Sequence, residues 1–272
     1  MYINLITIDL CPGQSGGGVT PSGTLNISEN GEYDVYSYSN AVVDVPAGWD
    51  QKSFTEGVIK IINLDNTASF VAGSAFDTNQ TIKTVNLPYA TSVGTYAFRS
   101  CRSLSQVSLP VCSYIDDYAF YICYSLSQIS IPMCSYIGSG VFSGCSLRQV
   151  NLPMCGYINN DAFRSCRKLS QVSLPVCSYI GARAFYQCNS LTNVSLPVCR
   201  NIGGAAFATC TSLSIITIGY SSVCSLGGSG AFENTKIASG TGSIYVPASL
   251  VDAYKSALNW RYFSSQIFPI SE

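Results

Sequence analysis

Thirteen cysteines and no histidine frame the chemistry open to this chain. Eleven of the thiols stand in two columns. One is Cys112, Cys134, Cys155, Cys177 and Cys199; the other is Cys101, Cys123, Cys145, Cys166, Cys188 and Cys210. Cys11 and Cys224 fall outside both. Zinc sites are built from Cys-x-x-Cys pairs or Cys and His together, and neither set exists here. No metal and no cofactor are expected. Disulfides between column neighbours meet a geometric obstacle. Stacked strands set Cα atoms about 4.8 Å apart, and parallel Cβ vectors keep the Cβ atoms equally far apart, beyond the roughly 3.5–4.5 Å that a bridge uses. Both columns therefore read as buried free thiols packing as small hydrophobes.

Other chemistry is equally sparse. Without histidine there is no Ser-His or Cys-His nucleophile and no common acid–base group. Gly16-Gly17-Gly18 lacks the Lys-Ser/Thr that completes a phosphate-binding loop. Asp116 and Asp117 are adjacent, and adjacent side chains diverge, so they read as solvated turn residues. No catalytic residue is expected, and the chain is read as a non-enzyme. Binding is the remaining option, and two outward rows could supply it. On a strand face Gln106, Gln128, Gln149 and Gln171 align beside Ser108, Ser130, Asn151 and Ser173. These suit hydrogen bonding to a broad partner, or amide ladders between turns. Four residues after successive prolines stand Tyr114, Tyr136, Tyr157 and Tyr179. Tyrosine offers contact area at low entropic cost, and a stacked column could equally stiffen the scaffold.

These rows exist because the chain repeats. Pro110, Pro132, Pro153, Pro175 and Pro197 each follow Leu or Ile and precede a Cys by two residues; Pro88 opens the series with Ala90 in the Cys place. The successive prolines are 22, 22, 21, 22 and 22 residues apart. Phe76, Phe98, Phe120, Phe142, Phe163, Phe185 and Phe207 keep the same period, as does a column from Ile82 to Leu213. In each turn a segment such as Gln106-Val107-Ser108-Leu109 alternates polar and apolar, a short strand that proline ends. Ile115, Ala119 and Phe120 bring the chain back through the interior. One turn cannot cover its own apolar side, so neighbours must stack, with each buried Val, Leu, Ile or Phe contributing roughly 1.5–3 kcal/mol. Residues 98–115 and 163–180 differ only at Ser103 and Lys168, the mark of a duplicated three-turn block.

The pattern I-G-x-x-A-F-x-x-C-x-x-L, carried by Ile180-Gly181-Ala182-Arg183-Ala184-Phe185-Tyr186-Gln187-Cys188-Asn189-Ser190-Leu191, resembles the BspA-like (Treponema pallidum-type) leucine-rich repeats. The tail Val246-Pro247-Ala248-Ser249-Leu250-Val251-Asp252-Ala253-Tyr254-Lys255, with Trp260, is similar to that family's C-terminal end. Glu29-Asn30-Gly31-Glu32-Tyr33-Asp34-Val35 resembles a short β motif of gut-bacterial surface and phage tail-associated proteins. The resemblance implies an α/β leucine-rich-repeat solenoid with a parallel sheet on one face. It also implies adhesion to a protein or glycan at the surface of a host-associated bacterium. The alternative is a structural or host-recognition part of a phage-like particle, such as a tail or capsid appendage. The family often has Val where Cys112 and its column stand.

The ends need caps. Residues 1–22 read as leader and linker, the latter at 13–18. Residues 23–52 read as a small β unit, with a turn at Asn30-Gly31 and a third strand at 41–45. The solenoid is expected over 53–218 and a cap over 219–272. In that cap Ser249 and Asp252 suggest a capping box for a helix at 249–260, with Leu250, Tyr254 and Leu258 on its buried face. Trp260, Phe263 and Ile267 add to the plug. Met1–Leu10 has neither a basic start nor a cleavage site and does not read as a secretory signal; the chain is expected at a cell surface or on a virion. No apolar run is long enough to span a membrane. Residues 1–80 carry nine acids and two bases and residues 81–218 three acids and nine bases. That basic excess is too dispersed for nucleic acid, and nothing in the pattern sets an oligomeric state. Thiol titration of denatured, unreduced protein should find the eleven column cysteines free; fewer than nine free thiols would contradict the free-thiol reading.

Overall fold

The computed structural model describes the strands Leu5–Asp9, Ser22–Ile27, Glu32–Ser37 and Val58–Ile62, and residues 70–271 apart from positions 72, 75, 81, 88 and 89. The alternating segment forms the strand Gln106–Ser108, with Val107 and Leu109 buried and Gln106 exposed. It pairs in parallel with Gln128–Ser130, Gln106 opposite Gln128, and with Ile82–Asn86 on its other side. Gln149–Asn151 pairs with Gln171–Ser173. Asn193–Leu196, Ile215–Ile218, Ser243–Val246 and Ile267–Pro269 continue the face. Hydrogen bonding along it is interrupted after Ser130 and after Ser173.

One sheet is legible in the sequence; the molecule has a second. Tyr114–Ile115, Tyr136–Ile137, Tyr157–Ile158, Tyr179–Ile180 and Asn201–Ile202 are two-residue strands of an eight-stranded parallel sheet running from Phe70–Val71 to Ser225–Leu226. Two residues are too few to show a period of two. The remaining arc of each turn holds two left-handed residues four apart. Examples are Tyr96 and Ser100, Tyr118 and Ile122, Asp161 and Ser165, and Arg183 and Gln187, with φ between +53° and +62°. Each such non-glycine residue costs roughly 1–2 kcal/mol. Hydrogen bonding offsets it: the N–H groups of Tyr118, Phe120 and Ile122 donate to the carbonyls of Ser139, Val141 and Ser143 in the next turn, at 2.8, 3.0 and 2.8 Å.

Inside, the Phe column is continuous. Phe76, Phe98, Phe120, Phe142, Phe163, Phe185, Phe207 and Phe232 stack with centroids 5.1–5.9 Å apart. Phe232 thus adds a rung beyond residue 218, and Trp260 and Phe263 close the column on it at 6.0 and 5.4 Å.

At the front, Leu5–Asp9 and Ser22–Ile27 pair antiparallel, as do Ser22–Ile27 and Glu32–Ser37. Glu32–Ser37 then runs parallel to Val58–Ile62, which pairs with Ile82–Asn86. The front strands therefore extend the solenoid's own sheet, and a strand stands within the segment read as leader. The expected linker at 13–18 and strand at 41–45 lie outside the described residues.

The expected helix at 249–260 is corrected by the structure. Ala248–Leu250 is a 3-10 turn, the α-helix is confined to Val251–Ser256, and no side chain caps either, so the Ser249–Asp252 box does not form. The chain breaks at Ala257, which is extended, and at Asn259, which is left-handed at φ +65°. The break serves docking to the last turn. Asn259 Nδ2 donates to the Leu226 carbonyl at 2.7 Å, Trp260 Nε1 donates to the Cys224 carbonyl at 2.6 Å, and the Tyr254 hydroxyl accepts from Cys224 N at 2.8 Å. Tyr254 is fully buried, whereas Leu258, expected beside it, is 72% exposed. Trp260, Phe263 and Ile267 are buried as expected.

Truncating Phe120 to alanine opens a gap in the stacked column. It should lower the unfolding free energy by about 3–5 kcal/mol, measured by urea denaturation; a loss below about 1 kcal/mol would mean the rings are not packed as described.

Candidate interaction surface

The rows expected from sequence fall on two different sheets. On the three- and four-residue strands, Gln106, Gln128, Gln149, Gln171, Ser130, Asn151 and Ser173 are exposed and Ser108 is half-buried. Gln106 Nε2 donates to Gln128 Oε1 at 2.8 Å, so part of this row is spent on an amide contact between turns.

The tyrosines lie on the second sheet and form a ladder. Tyr114–Tyr136, Tyr136–Tyr157 and Tyr157–Tyr179 have centroids 4.6, 5.4 and 4.2 Å apart and planes within 10° of parallel. Asn159 Nδ2 donates to the Tyr136 hydroxyl at 3.1 Å. Burial, and then the charge of Asp116, push the Tyr114 phenol above its ordinary range. Burial does the same at Tyr157, helped by a hydrogen bond with Tyr179. Because the ring faces cover one another, the ladder turns edges and hydroxyls outward. It packs ring on ring between turns and presents a polar-edged strip.

A third row, beyond the two expected from sequence, follows the prolines. The residue after each proline is apolar: Val111, Met133, Met154, Val176 and Val198 are 42, 51, 52, 43 and 37% exposed. Along each turn this position falls between the Gln strand and the Tyr strand. The signal was the invariant apolar type at a corner where nothing in the repeat can cover it.

The remaining chemical candidates are absorbed by the scaffold. Asp116 accepts from Thr95 Oγ1 and from Asp117 N, both at 2.8 Å, and Asp117 accepts from Ser139 N at 2.6 Å. Both carboxylates hold turns together. The twelve described cysteines are free and buried. In one column each thiol donates to a phenylalanine carbonyl of the preceding turn, as Cys123 does to Phe98 at 3.0 Å. In the other it donates two residues ahead, as Cys112 does to the Tyr114 carbonyl at 3.3 Å. A thiol therefore does what a valine of similar bulk at that position cannot, satisfying a carbonyl. Burial pushes Cys112 and Cys155 up to about 11 and Cys123 and Cys166 up to about 12. No cluster of metal-ligating residues occurs among the described residues, and none of their helices is long and apolar enough to cross a membrane.

A protein-family profile described as a BspA type leucine rich repeat region matches residues 49–169 and 135–260. No curated protein matches significantly in sequence. Among solved structures, the chain is similar to a leucine rich repeat protein of T. pallidum, at 22% identity over 71% of this chain and 80% of that one, with a TM-score of 0.43. It is also similar to a leucine-rich repeat protein from Bacteroides ovatus, at 17% identity over 92% and 98%, with a TM-score of 0.35. A third is a leucine rich cell surface protein from Faecalibacterium prausnitzii, at 14% identity over 94% and 98%, with a TM-score of 0.30.

The thiol shifts carry a pH dependence. For Cys112, Cys123, Cys155 and Cys166 the folded-state value lies above the unfolded one, so their stabilisation is complete below about pH 8.5 and is lost as pH rises toward the folded values near 11 and 12. The urea midpoint should fall between pH 8.5 and 11, and the Cys123→Ala/Cys166→Ala variant should show a shallower fall. Equal slopes for variant and parent would contradict this origin.

Proposed function

Since the chain belongs to the BspA-type leucine-rich repeat family, we propose that it is a protein-interaction module displayed at the surface of a host-associated bacterium, where it serves adhesion. The partner is a protein gripped across the Gln, Val/Met and Tyr rows. The observation that carries this is the exposed apolar row of Val111, Met133, Met154, Val176 and Val198. Five rungs at about 4.8 Å make a strip roughly 20 Å long. A contiguous apolar strip with polar flanks marks an interaction site more often than a bare surface. Methionine at its centre adapts to an imperfectly matched partner, and tyrosine and glutamine edges supply the hydrogen bonds around it. A glycan is the poorer fit to this strip, because sugar rings dock on open aromatic faces and the ladder's faces are closed on each other. A role as part of a phage-like particle gains no support from the rows or from the family.

The test is surface plasmon resonance of the whole chain against a panel of extracellular host proteins, repeated with Met133→Lys/Met154→Lys. The reading expects saturable binding to at least one protein and a loss of roughly 100-fold in the variant, with the urea midpoint unchanged. Absence of any saturable partner, or equal binding by the variant, would overturn it.

A further inference from the structure

The turn that breaks the 22-residue period also breaks the surface. Its arc, Gly140-Val141-Phe142-Ser143-Gly144-Cys145-Ser146-Leu147, has one residue fewer between Cys and Leu than the arcs on either side, where Tyr124-Ser125 and Arg167-Lys168 stand. It is also stripped of bulk. Where the turn before has Tyr118, Tyr121 and Ile122, and the turn after has Asp161, Arg164 and Ser165, this one has Gly140, Ser143 and Gly144. Gly140 and Gly144 take the left-handed positions at φ +62° and +81°. Adding a Cβ at Gly140 would meet the Tyr118 ring at 2.5 Å. The result is a notch of about 690 Å³, within the roughly 300–1,000 Å³ of small-molecule sites.

Its two walls differ. One wall is aromatic: Tyr118 and Tyr121 are half-buried, while Tyr124 is 52% exposed. The other wall is basic, with Arg164, Arg167 and Lys168 against the single carboxylate of Asp161. Arg164 is partly engaged, 3.4 Å from Asp161 and 5.5 Å from the Tyr186 ring centroid. Arg167 and Lys168 have no ion-pair partner among the described residues.

The duplicated block supplies an internal comparison. In the first copy Arg99 pairs with Asp77 and lies over Tyr96, and Arg102 lies over Tyr124 at 5.6 Å. In the second copy the place below Arg167 holds Asn189 rather than a ring. The one residue that differs across the 18-residue copies, Ser103 against Lys168, lines the notch and adds a cation to it.

We propose that this notch is a binding site for an anionic sugar, one carrying carboxylate or sulfate groups. Arg167 and Lys168 would take the anionic group, the uncovered part of Tyr124 the apolar face of a ring, and Ser146 and Asp161 the hydroxyls. The proposal is separate from the protein-binding surface, whose rows lie on the two sheets and the proline corners between them, so either can fail without the other.

Isothermal titration of the whole chain at low salt tests it with trigalacturonate, a chondroitin sulfate tetrasaccharide, maltotriose and inorganic sulfate. The first two arms distinguish a carboxylate from a sulfate ligand. Binding of at least one of them is expected, weakening as salt is raised, with no measurable binding of maltotriose or sulfate alone. Lys168→Ser, which restores the sequence of the first copy and so keeps the fold, and Arg167→Ala should each weaken binding roughly tenfold, with the urea midpoint unchanged. The proposal fails if neither anionic saccharide binds. It fails equally if maltotriose or inorganic sulfate binds as well as they do, or if both variants bind as the parent does.

Discussion

Everything in this molecule follows from the demand that each turn hydrogen-bond to, and cover, an almost identical turn one strand spacing away. A polar backbone group buried between turns is costly unless paired, so each arc must aim alternate N–H groups along the stack. It does so with two left-handed residues four apart in each arc, as at Tyr118 and Ile122, Asp161 and Ser165, and Arg183 and Gln187. Local strain is accepted because the neighbouring turn supplies the acceptors. The same demand selects one side-chain size at each inward position. Phenylalanine stacks on phenylalanine, and cysteine fills the space where a small apolar group with one weak donor fits.

That demand also fills the interior with like residues stacked on like. The thiols inside donate to backbone carbonyls, and Asp116 and Asp117, expected as solvated turn residues, accept hydrogen bonds that tie turns together. What can vary is the outside, and it varies in rows. The apolar row at the proline corners exists because the repeat has no element that reaches over it. The notch exists because one turn lost a residue and its bulk while its neighbours did not.

The solenoid, its inward columns and its caps' aromatic plug were readable from spacing alone, since the period is set by the packing itself. The second sheet was not, because Tyr114–Ile115 and its equivalents are two residues long and pair only between turns. The helix at 249–260 was overextended because Leu258 keeps the helical spacing, whereas the chain must break at Ala257 and Asn259 for Trp260 to reach Cys224. The tyrosine and glutamine rows were legible as rows, but whether their faces were open or closed depended on ring planes that no sequence shows. The notch was invisible for a related reason. Arg164 and Arg167 look like copies of Arg99 and Arg102, and what sets the second copy apart is Lys168 together with the missing bulk between two turns.

The central claim is the unbroken stack, and amide hydrogen exchange addresses it directly. The N–H groups of Phe98, Phe120 and Phe142 donate to Ala119, Val141 and Ala162 of the next turn. They should exchange only through opening of the stack itself, with protection among the highest in the chain. Exchange of these three amides as fast as that of the exposed turn around Ser239 and Thr241 would contradict the account.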